Sequence, residues 1–279
     1  MRLLVTGAEG MLGRRVADEA ARRGHDVVGV DLGDFDLVDA QAVFDGVAEV
    51  QPEAVVHCAA YTDVDGAEAD EERATLVNGE AAGHVTAAAG RHGAFVVALS
   101  TDYVFAGDAD RPYVESDPPA PRSAYGRSKL AGEEAVASVG TSAAIARTAW
   151  LYGAGGKNFV DTMLQIAQDR DEVSVVTDQV GCPTWTGHLA PAVLEVAERR
   201  LEGIHHLAGA GWCSWHEFAV EVFERSGVDC RVAPTTSDEF KRPAPRPAWS
   251  VLGSERDDAI ALPSWQEGLA AYLKERVAV

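Results

Sequence analysis

Two short segments of the sequence carry residue types that together could reduce a carbonyl group. Tyr125 and Lys129 lie four positions apart, a spacing that puts both side chains on one face of a helix. A phenol with an ordinary pKa of about 10 is a poor acid–base catalyst at neutral pH, and a nearby ammonium group together with the positive ring of a bound nicotinamide would lower that pKa. The second segment, residues 7–13, has the form G-x-x-G-x-x-G and could hold a dinucleotide. A hydride from the dinucleotide and a proton from Tyr125 would together reduce a carbonyl group, and the reverse transfers would oxidise an alcohol.

The glycine segment has the surroundings of a phosphate-binding loop. A strand-like run precedes it, a helix is predicted to follow, and Asp31 ends the next predicted strand. The first glycine permits a tight turn, the second lets backbone approach a pyrophosphate, and the third lets helix and strand pack closely. N–H groups at the start of the helix would then face the phosphates. The residues predicted to bind the cofactor here are Gly7, Gly10, Met11, Leu12, Gly13 and Asp31.

Asp31 bears on the choice between NADH and NADPH. Its carboxylate would accept hydrogen bonds from the adenosine ribose and would repel a 2′-phosphate. Arg14 and Arg15 could instead reach a 2′-phosphate, or could be plain surface charge at the start of a helix. We expect NADH or NADPH, with NADH favoured.

A third polar group should steady the substrate oxygen beside Tyr125. The fourth predicted strand ends in Ser100 and Thr101, at the edge of the sheet where ligands bind. Thr101 is the predicted residue and Ser100 the alternative. Either hydroxyl could instead only cap backbone at the strand end, and the Tyr125–Lys129 pair could be an exposed helix pair.

Strands and helices alternate through the first half of the chain. Continuous apolar strands are typical of a parallel sheet that is covered on both faces, which predicts a doubly wound, Rossmann-type α/β fold. The predicted strands are residues 2–5, 26–31, 54–58, 94–99 and 142–146. The predicted helices are residues 11–23, 40–50, 70–91 and 123–139.

This alternation loosens after Trp150. Residues 173–176 and 204–207 still resemble strands, residues 215–225 and 265–277 resemble helices, and residues 234–247 resemble a loop. We therefore predict a dinucleotide-binding domain of residues 1–150 plus about 173–208. A smaller C-terminal α/β substrate lobe would comprise about 151–172 and 209–279.

Composition excludes several functional classes. The net charge of −20 argues against nucleic acid as a partner, because phosphates would be repelled. No apolar run approaches the roughly 20 residues that cross a membrane, and Met1 leads directly into the first strand without a signal peptide. We expect a cytoplasmic protein with no membrane partner. The acidic excess with few lysines is compatible with life in high salt or, alternatively, with a GC-rich genome.

The four cysteines, Cys58, Cys182, Cys213 and Cys230, are scattered without paired spacing. This pattern predicts reduced thiols, with neither a disulfide framework nor a zinc site. The adjacent His205 and His206 would face opposite ways on a strand, so they do not form a metal site either.

Several further motifs resemble the extended short-chain dehydrogenase/reductases and, more narrowly, the dTDP-4-dehydrorhamnose reductase family. The likeness runs over nearly the whole chain, and its motifs are specific in combination. They are residues 100–105, 125–133, 147–152, 178–184 and 246–247. The resemblance implies reduction of the 4-keto group of dTDP-4-dehydro-6-deoxy-L-mannose to dTDP-L-rhamnose by NADPH or NADH.

The resemblance also assigns residues. It makes Thr101, Tyr125 and Lys129 the catalytic trio, with Tyr125 and Lys129 also contacting the cofactor. Ala59, Ala60 and Tyr61 fall where the family's loop passes the cofactor, and Asn78 lies in the helix after it. The implied substrate contacts are Thr101, Asp102, Tyr103, Tyr125, Trp150 and Arg246. Trp150 and Asn78 could instead be packing residues, and Arg246 a solvated loop residue.

One departure from the family concerns metal binding. Some members carry acidic residues that bind magnesium at a dimer interface, and the matching positions here are Arg15, Gly187 and Gln266. These residues cannot build a carboxylate cage. We predict no metal, and a monomer or a metal-independent homodimer.

Two other functions remain open from the sequence. The same scaffold serves sugar-nucleotide epimerases and dehydratases, which return the hydride to their own substrate. Relatives of the reductase also serve as a non-catalytic regulatory subunit of methionine adenosyltransferase. The presence of Thr101, Tyr125 and Lys129 argues against a purely regulatory role.

Overall fold

The computed structural model describes residues 1–277. Ala278 and Val279, which the predicted lobe includes, lie outside the described residues. The strands in chain order are β1 (Arg2–Thr6), β2 (Asp26–Val30), β3 (Ala54–His57), β4 (Phe95–Thr101), β5 (Ala143–Thr148), β6 (Leu151–Tyr152), β7 (Glu172–Val176), β8 (Val180–Gly181), β9 (Thr184–Trp185), β10 (Gly203–His206), β11 (Cys213–Ser214) and β12 (Arg231–Thr235).

The helices surround these strands. In chain order they are α1 (Met11–Arg22), α2 (Ala40–Val50), α3 (Val64–Ala69), α4 (Glu71–Thr75), α5 (Ala81–Arg91), α6 (Ala124–Val139), α7 (Phe159–Ile166), α8 (Thr186–Arg199), α9 (Trp215–Ser226) and α10 (Trp265–Val277). A π-helical turn, Leu76–Glu80, joins α4 to α5, and a 3₁₀ turn, Asp102–Val104, follows β4. Within the described residues no helix combines the length and hydropathy needed to cross a membrane.

The main sheet has six parallel strands in the order β10-β5-β4-β3-β1-β2. Apolar side chains are buried on both faces: Leu3 and Val5 pack with α1 and α8, whereas Leu4 and Val55 pack with α2 and α5. The doubly wound fold is therefore confirmed. The order of the strands reverses between β1 and β3, so their carboxyl ends flank the crevice where such folds bind ligands.

The smaller lobe has its own core and three two-stranded sheets, β7 with β12, β8 with β11, and β6 with β9. Buried aromatic residues dominate that core, among them Tyr152, Phe218, Trp265 and Tyr272. The prediction that the chain returns to the main sheet at about residue 173 is wrong, because β7 pairs with β12 in the smaller lobe. Val173 and Val175 alternate with exposed neighbours and face the lobe core, so one face of β7 is buried there rather than two. The return is made by α8 and β10.

Helices α3, α7 and α8 were not among the predicted elements, and residues 70–91 do not form one regular helix. The π turn interrupts that stretch, with Asn78 buried inside it. The predicted loop at 234–247 starts slightly later, since Pro234 and Thr235 belong to β12. All four cysteines are free thiols in the described part of the chain, as predicted.

Candidate active site

The glycine loop leaves β1 through a turn that only a residue without a side chain can make. Gly7 has φ +66°, and a Cβ there would lie 2.7 Å from the Ala59 nitrogen. At Gly13 a Cβ would lie 2.0 Å from the Gly7 carbonyl oxygen. The loop, the start of α1 and the end of β3 therefore meet closely, which gives the cradle that a pyrophosphate needs.

The first turn of α1 is open toward that cradle. Its N-cap, Gly10, offers no side-chain cap, and no acidic residue lies in the first turn. Leu12 points into the core while the helix N–H groups stay at the loop. Asp31 accepts a 2.8 Å hydrogen bond from the Glu9 nitrogen, so its carboxylate lies beside the loop. Uncapped N–H groups and an adjacent acidic residue fit a dinucleotide.

Asn78 clamps the loop that faces the glycines across the crevice. Its side chain accepts from the Tyr61 nitrogen (2.8 Å) and donates to the Tyr61 oxygen (3.0 Å) and to Ser128 Oγ (2.9 Å). Ser128 lies on α6 between Tyr125 and Lys129. The predicted cofactor loop, residues 59–61, is thus tied to the helix of the predicted catalytic pair. π-Helical turns such as the one holding Asn78 often occur at functional sites.

The end of β4 presents Thr101 and Asp102 at the same edge. Thr101 Oγ1 donates to Asp102 Oδ1 (2.9 Å) and accepts from the Tyr103 nitrogen (3.2 Å), so the hydroxyl does cap the strand end. Burial raises the pKa of Asp102 to about 6, although the nearby Ser250 hydroxyl and the hydrogen bond from Thr101 oppose this. The pKa of Asp102 therefore lies close to neutral pH, so a modest fall in pH protonates its carboxylate.

Helix α6 carries Tyr125 and Lys129, and Ser123 caps its start by accepting from the Gly126 nitrogen. The Lys129 ammonium group donates to the Leu99 oxygen at 2.7 Å. Burial lowers the pKa of Lys129 to about 8, while Glu133 and Cys58 act in the opposite direction. Lys129 is thus a buried cation that binds β4 at Leu99, two residues before Thr101.

The expected acidic phenol is not present in this structure. Burial and, to a smaller extent, the Asp102 carboxylate raise the pKa of Tyr125 to about 12, and the neighbouring Thr101 hydroxyl partly opposes this. The ammonium of Lys129 is engaged with the β4 backbone. Tyr125 therefore holds its proton firmly, because the low-polarity surroundings penalise the phenolate more than Thr101 stabilises it.

A row of side chains continues from Tyr125 toward the small lobe. The Tyr125 and Tyr103 rings meet edge to face at 5.6 Å, and the Arg246 guanidinium lies 6.0 Å from the Tyr103 ring. Arg246 also pairs with Asp65 on α3 at 3.0 Å. Tyr103 and Arg246 line a cavity of about 180 Å³ together with residues 105–108, 122–123 and 245–248. Arg246 is thus a partly buried cation beside the Tyr103 ring rather than a solvated loop residue.

Trp150 lies at the junction of the two lobes. Its ring stacks on Trp215 at 3.5 Å and packs over Gly181, whose other neighbour is Ser250 Oγ. Its φ of +47° is unusual for a large side chain and marks a locally strained backbone.

Arg14 and Arg15 have different partners. Arg14 Nε donates to the Glu9 oxygen at 2.6 Å, close to the nitrogen that binds Asp31. Arg15 pairs with Glu275 on α10, and its guanidinium lies 5.6 Å from the Trp185 ring. Arg15 is therefore directed away from the glycine loop. Among residues 1–277 no group of three or more acidic, His or Cys side chains could hold a metal ion, and the absence of a metal remains a prediction.

Sequence reasoning missed three contributors to this site. Asp65 binds Arg246 but lies in a run of acidic residues with nothing to distinguish it, and Ser250 lies in a loop without a motif. Glu133 was noted only as part of a motif, although its position four residues after Lys129 was a usable signal.

The fold and the site define a class of protein. A dinucleotide cradle at the reversal point of a doubly wound sheet, next to a Tyr–Lys pair at the same edge, is the arrangement of a nicotinamide-dependent oxidoreductase of the short-chain dehydrogenase/reductase type. Residues 1–278 match the RmlD substrate binding domain, and the chain belongs to that family, in agreement with the resemblance to dTDP-4-dehydrorhamnose reductases.

Three similar proteins illustrate the relationship. A probable dTDP-4,6-dihydroxy-2-methyloxan-3-one 4-ketoreductase of Streptomyces antibioticus is 48% identical over 92% of this chain and 88% of its own. A dTDP-4-dehydrorhamnose reductase of Streptomyces griseus is 46% identical over 94% and 88%. The crystal structure of a dTDP-4-dehydrorhamnose reductase of Bacillus anthracis, in complex with NADP, is 38% identical, covers 98% and 99%, and has a TM-score of 0.96.

Proposed function

We propose that this enzyme reduces the 4-keto group of dTDP-4-dehydro-6-deoxy-L-mannose to dTDP-L-rhamnose. The observation that carries the proposal is the cluster of the buried Thr101 and Lys129 and the partly buried Tyr125 beside the glycine cradle. The names of the Streptomyces griseus and Bacillus anthracis relatives support the substrate. A 4-ketoreductase name on the Streptomyces antibioticus relative supports the same reaction on a related sugar.

The chain's own residues account for binding and proton transfer. A bound reduced nicotinamide supplies the hydride. Lys129 lies at the crevice to hold the nicotinamide ribose, and Tyr125 gives its phenol proton to the oxygen at C4. Thr101, fixed by Asp102 and by the Tyr103 nitrogen, would steady the substrate oxygen beside Tyr125. A phenol that is fully protonated at neutral pH is in the form that a reduction requires.

The anionic end of the substrate would meet the small lobe. Arg246 Nη1 is buried without a hydrogen-bond partner among the described residues, so one face of this guanidinium is available to a diphosphate. The strained and stacked Trp150 would bound the sugar pocket on the side of β8. Asp102 and Tyr103 would complete the sugar contacts.

The cofactor preference is proposed to be NADH. Asp31 beside the loop disfavours a 2′-phosphate, and Arg15 is occupied by Glu275. Arg14 remains near the loop, and the Bacillus anthracis relative was crystallised with NADP. Comparing kcat/KM for the two reduced cofactors tests this preference, which a strong advantage for NADPH would overturn.

Incubation with dTDP-4-keto-6-deoxy sugars and either reduced cofactor tests the function directly. We expect one reduced cofactor to be consumed for each sugar, and NMR of the product to show the L-rhamno configuration. Turnover of sugar without consumption of cofactor would instead indicate an epimerase, and cofactor binding without any turnover a regulatory subunit. A cytoplasmic location, and a monomer or metal-independent homodimer, complete the proposal.

A further inference from the structure

A row of buried polar side chains crosses the main sheet directly behind the catalytic edge. Ser100 on β4 and His206 on β10 are both register partners of Arg147 on β5. Glu133 reaches this row from α6. All four side chains are buried, and none of them is part of the proposed reaction.

The row is organised around one ion pair. Glu133 Oε1 accepts from Ser100 Oγ (2.6 Å) and from Arg147 Nε (2.8 Å), and its Oε2 accepts from Arg147 Nη2 (2.6 Å). Arg147 also lies 3.5 Å from His206 Nε2 and 4.9 Å from the Phe105 ring. A buried ion pair is poor evidence for stability by itself, because desolvation offsets the attraction. This pair therefore invites another explanation.

The network is tied to the catalytic residues through consecutive positions of β4. Lys129 binds the Leu99 oxygen, and Glu133, one helical turn later on α6, binds Ser100 Oγ. The next residue is Thr101. Two neighbouring turns of α6 thus hold two neighbouring residues of β4, and this double attachment sets where Thr101 lies relative to Tyr125.

Glu133 also has an electrostatic relation to Lys129. Two other titratable groups face the Lys129 ammonium, His57 and Cys58 at the end of β3. Burial lowers the pKa of His57 to about 3 and raises the pKa of Cys58 to about 12, so both are neutral near pH 7. The other neighbours, the Leu99 carbonyl and the Asn78–Ser128 pair, do not titrate. Of these groups, Glu133 is the one that faces Lys129 with a negative charge.

We propose that Glu133 is a positioning residue for the reduction: it supplies the negative charge that faces Lys129, and through Ser100 it holds the end of β4 against α6. Arg147 fixes the carboxylate in place. The inference rests on the proposed function for its effect on turnover, whereas its effect on cofactor binding requires no sugar substrate.

The test is the pH dependence of Glu133→Gln, which keeps the shape of the side chain and removes its charge. Binding of the reduced cofactor is followed by nicotinamide fluorescence without sugar, and kcat is measured with the 4-keto sugar. Cofactor binding and kcat should each decline at alkaline pH as Lys129 loses its proton, which gives each profile an alkaline limb. Without the Glu133 carboxylate Lys129 loses its proton more easily, so both alkaline limbs should move to lower pH by about half a unit to one unit. Glu134→Gln makes the same charge change at an exposed neighbour on α6 and should keep the wild-type limbs.

Glu133→Gln also leaves a buried guanidinium without its partner, which lowers the melting temperature. The double variant Glu133→Gln/Arg147→Met removes both charges and should regain melting temperature while keeping the displaced limbs. A purely structural ion pair predicts instead that the double variant regains the wild-type limbs, and that result would overturn the charge role. A folded Glu133→Gln protein with wild-type limbs would overturn it as well.

Ser100→Ala tests the positioning role without changing any charge or large volume. We expect kcat to fall about fivefold to tenfold, as the loss of one buried hydrogen bond allows, with alkaline limbs at the wild-type pH. Wild-type kcat in Ser100→Ala would contradict the positioning role. If the wild type reduces no 4-keto sugar but its cofactor-binding limb still moves in Glu133→Gln, the proposed substrate fails while the inference about Glu133 stands.

Discussion

Three consecutive residues at the end of β4 have three different partners. The Leu99 oxygen accepts from Lys129, Ser100 donates to Glu133, and Thr101 donates to Asp102. A short piece of strand thereby fixes the Lys129 ammonium, the Glu133 carboxylate and the Thr101 hydroxyl next to one another along β4. At the scale of single residues, the chemistry therefore depends on how this strand end is held.

Replacing Lys129 by Met should remove two functions at once. Methionine fills a similar volume but cannot donate to the Leu99 oxygen or hold a ribose hydroxyl. We expect kcat to fall by two or more orders of magnitude and the Kd for reduced cofactor to rise at least tenfold. Kd is measured by fluorescence titration and kcat by cofactor oxidation. If only one of the two quantities changes, the double role of Lys129 is wrong.

Asp102 should produce an acid limb in the activity profile near pH 6. Its raised pKa means that the native carboxylate takes up a proton at a pH where the unfolded chain, with a pKa of about 3.8, is still ionised. This group therefore adds stability as the pH falls from about 6 to about 4, so unfolding through Asp102 cannot explain lost activity there. We expect kcat to decline below about pH 6 because protonation frees Thr101 from its carboxylate partner.

The pH profile of Asp102→Asn is the check, with circular dichroism to verify folding. The variant should lack the limb near pH 6 and have a reduced kcat throughout. An unchanged limb in Asp102→Asn would assign that titration to another group.

The spacing of Tyr125 and Lys129 was sufficient to predict that both residues lie at one edge. It was not sufficient to predict their ionisation. The pKa of Tyr125 depends on how completely Thr101, Asp102 and the lobe around Tyr103 bury the phenol, and those contacts join residues that are distant in sequence. Burial proved the larger effect, and it acts in the direction opposite to the one predicted.

At the scale of elements, the site is built where α6 meets three other segments. Lys129 and Glu133 attach it to β4, and Ser128 attaches it to the π turn through Asn78. Glu68 on α3 accepts from the Ala124 nitrogen at the start of the helix. The helix that carries the phenol is thus fixed at its start and along its first turns.

Replacing Asn78 by Ala should weaken cofactor binding by releasing the cofactor loop from the π turn, with no substitution in the loop itself. The variant loses three hydrogen bonds and leaves the Tyr61 backbone unpaired, at a cost of about 1–3 kcal/mol of stability. We expect a Kd for reduced cofactor raised several-fold, measured by fluorescence. Thr86→Val on α5 is the control: it removes one bond within a helix, from Thr86 to the Ala82 oxygen, and should lower stability alone. An Asn78→Ala protein with wild-type Kd would show that Asn78 only packs helices.

Apolar patterning predicted the first five strands, because a parallel sheet buries both faces of each strand, and it predicted the helices between them except α3. It did not predict the π turn, which has the composition of an ordinary helix. It also missed α8, whose interior Pro191 reads as a break although the helix continues through it. The tertiary packing of Leu189 and Val193 on the main sheet compensates for the lost hydrogen bond.

For the whole molecule, the two lobes are joined by a clasp at Asp65. Arg246 and Arg242 approach this carboxylate at 3.0 and 3.7 Å, and the Ala244 nitrogen donates to it at 3.2 Å. The clasp connects the loop after β12 with α3, next to the cofactor loop. The sequence could not predict it because the partners are about 180 positions apart and, although Arg246 belongs to a recognised motif, nothing distinguishes Asp65 among the neighbouring acidic residues.

The net charge of −20 should make stability depend on salt. Exposed ion pairs contribute little at any ionic strength, whereas repulsion among excess carboxylates is relieved by screening. We expect the melting temperature, followed by circular dichroism at pH 7, to rise from low salt to about 1 M potassium chloride. A melting temperature that stays constant or falls would contradict this expectation and the high-salt interpretation of the composition.

The most direct test of the account is the turnover of Tyr125→Phe with a dTDP-4-keto-6-deoxy sugar and reduced cofactor. Phenylalanine keeps the ring that packs on Tyr103 and removes the phenol proton that Tyr125 is proposed to give to the C4 oxygen. We predict a kcat at least about a hundredfold below wild type with a nearly unchanged Kd for cofactor. Near-normal turnover in that variant would contradict Tyr125 as the proton donor.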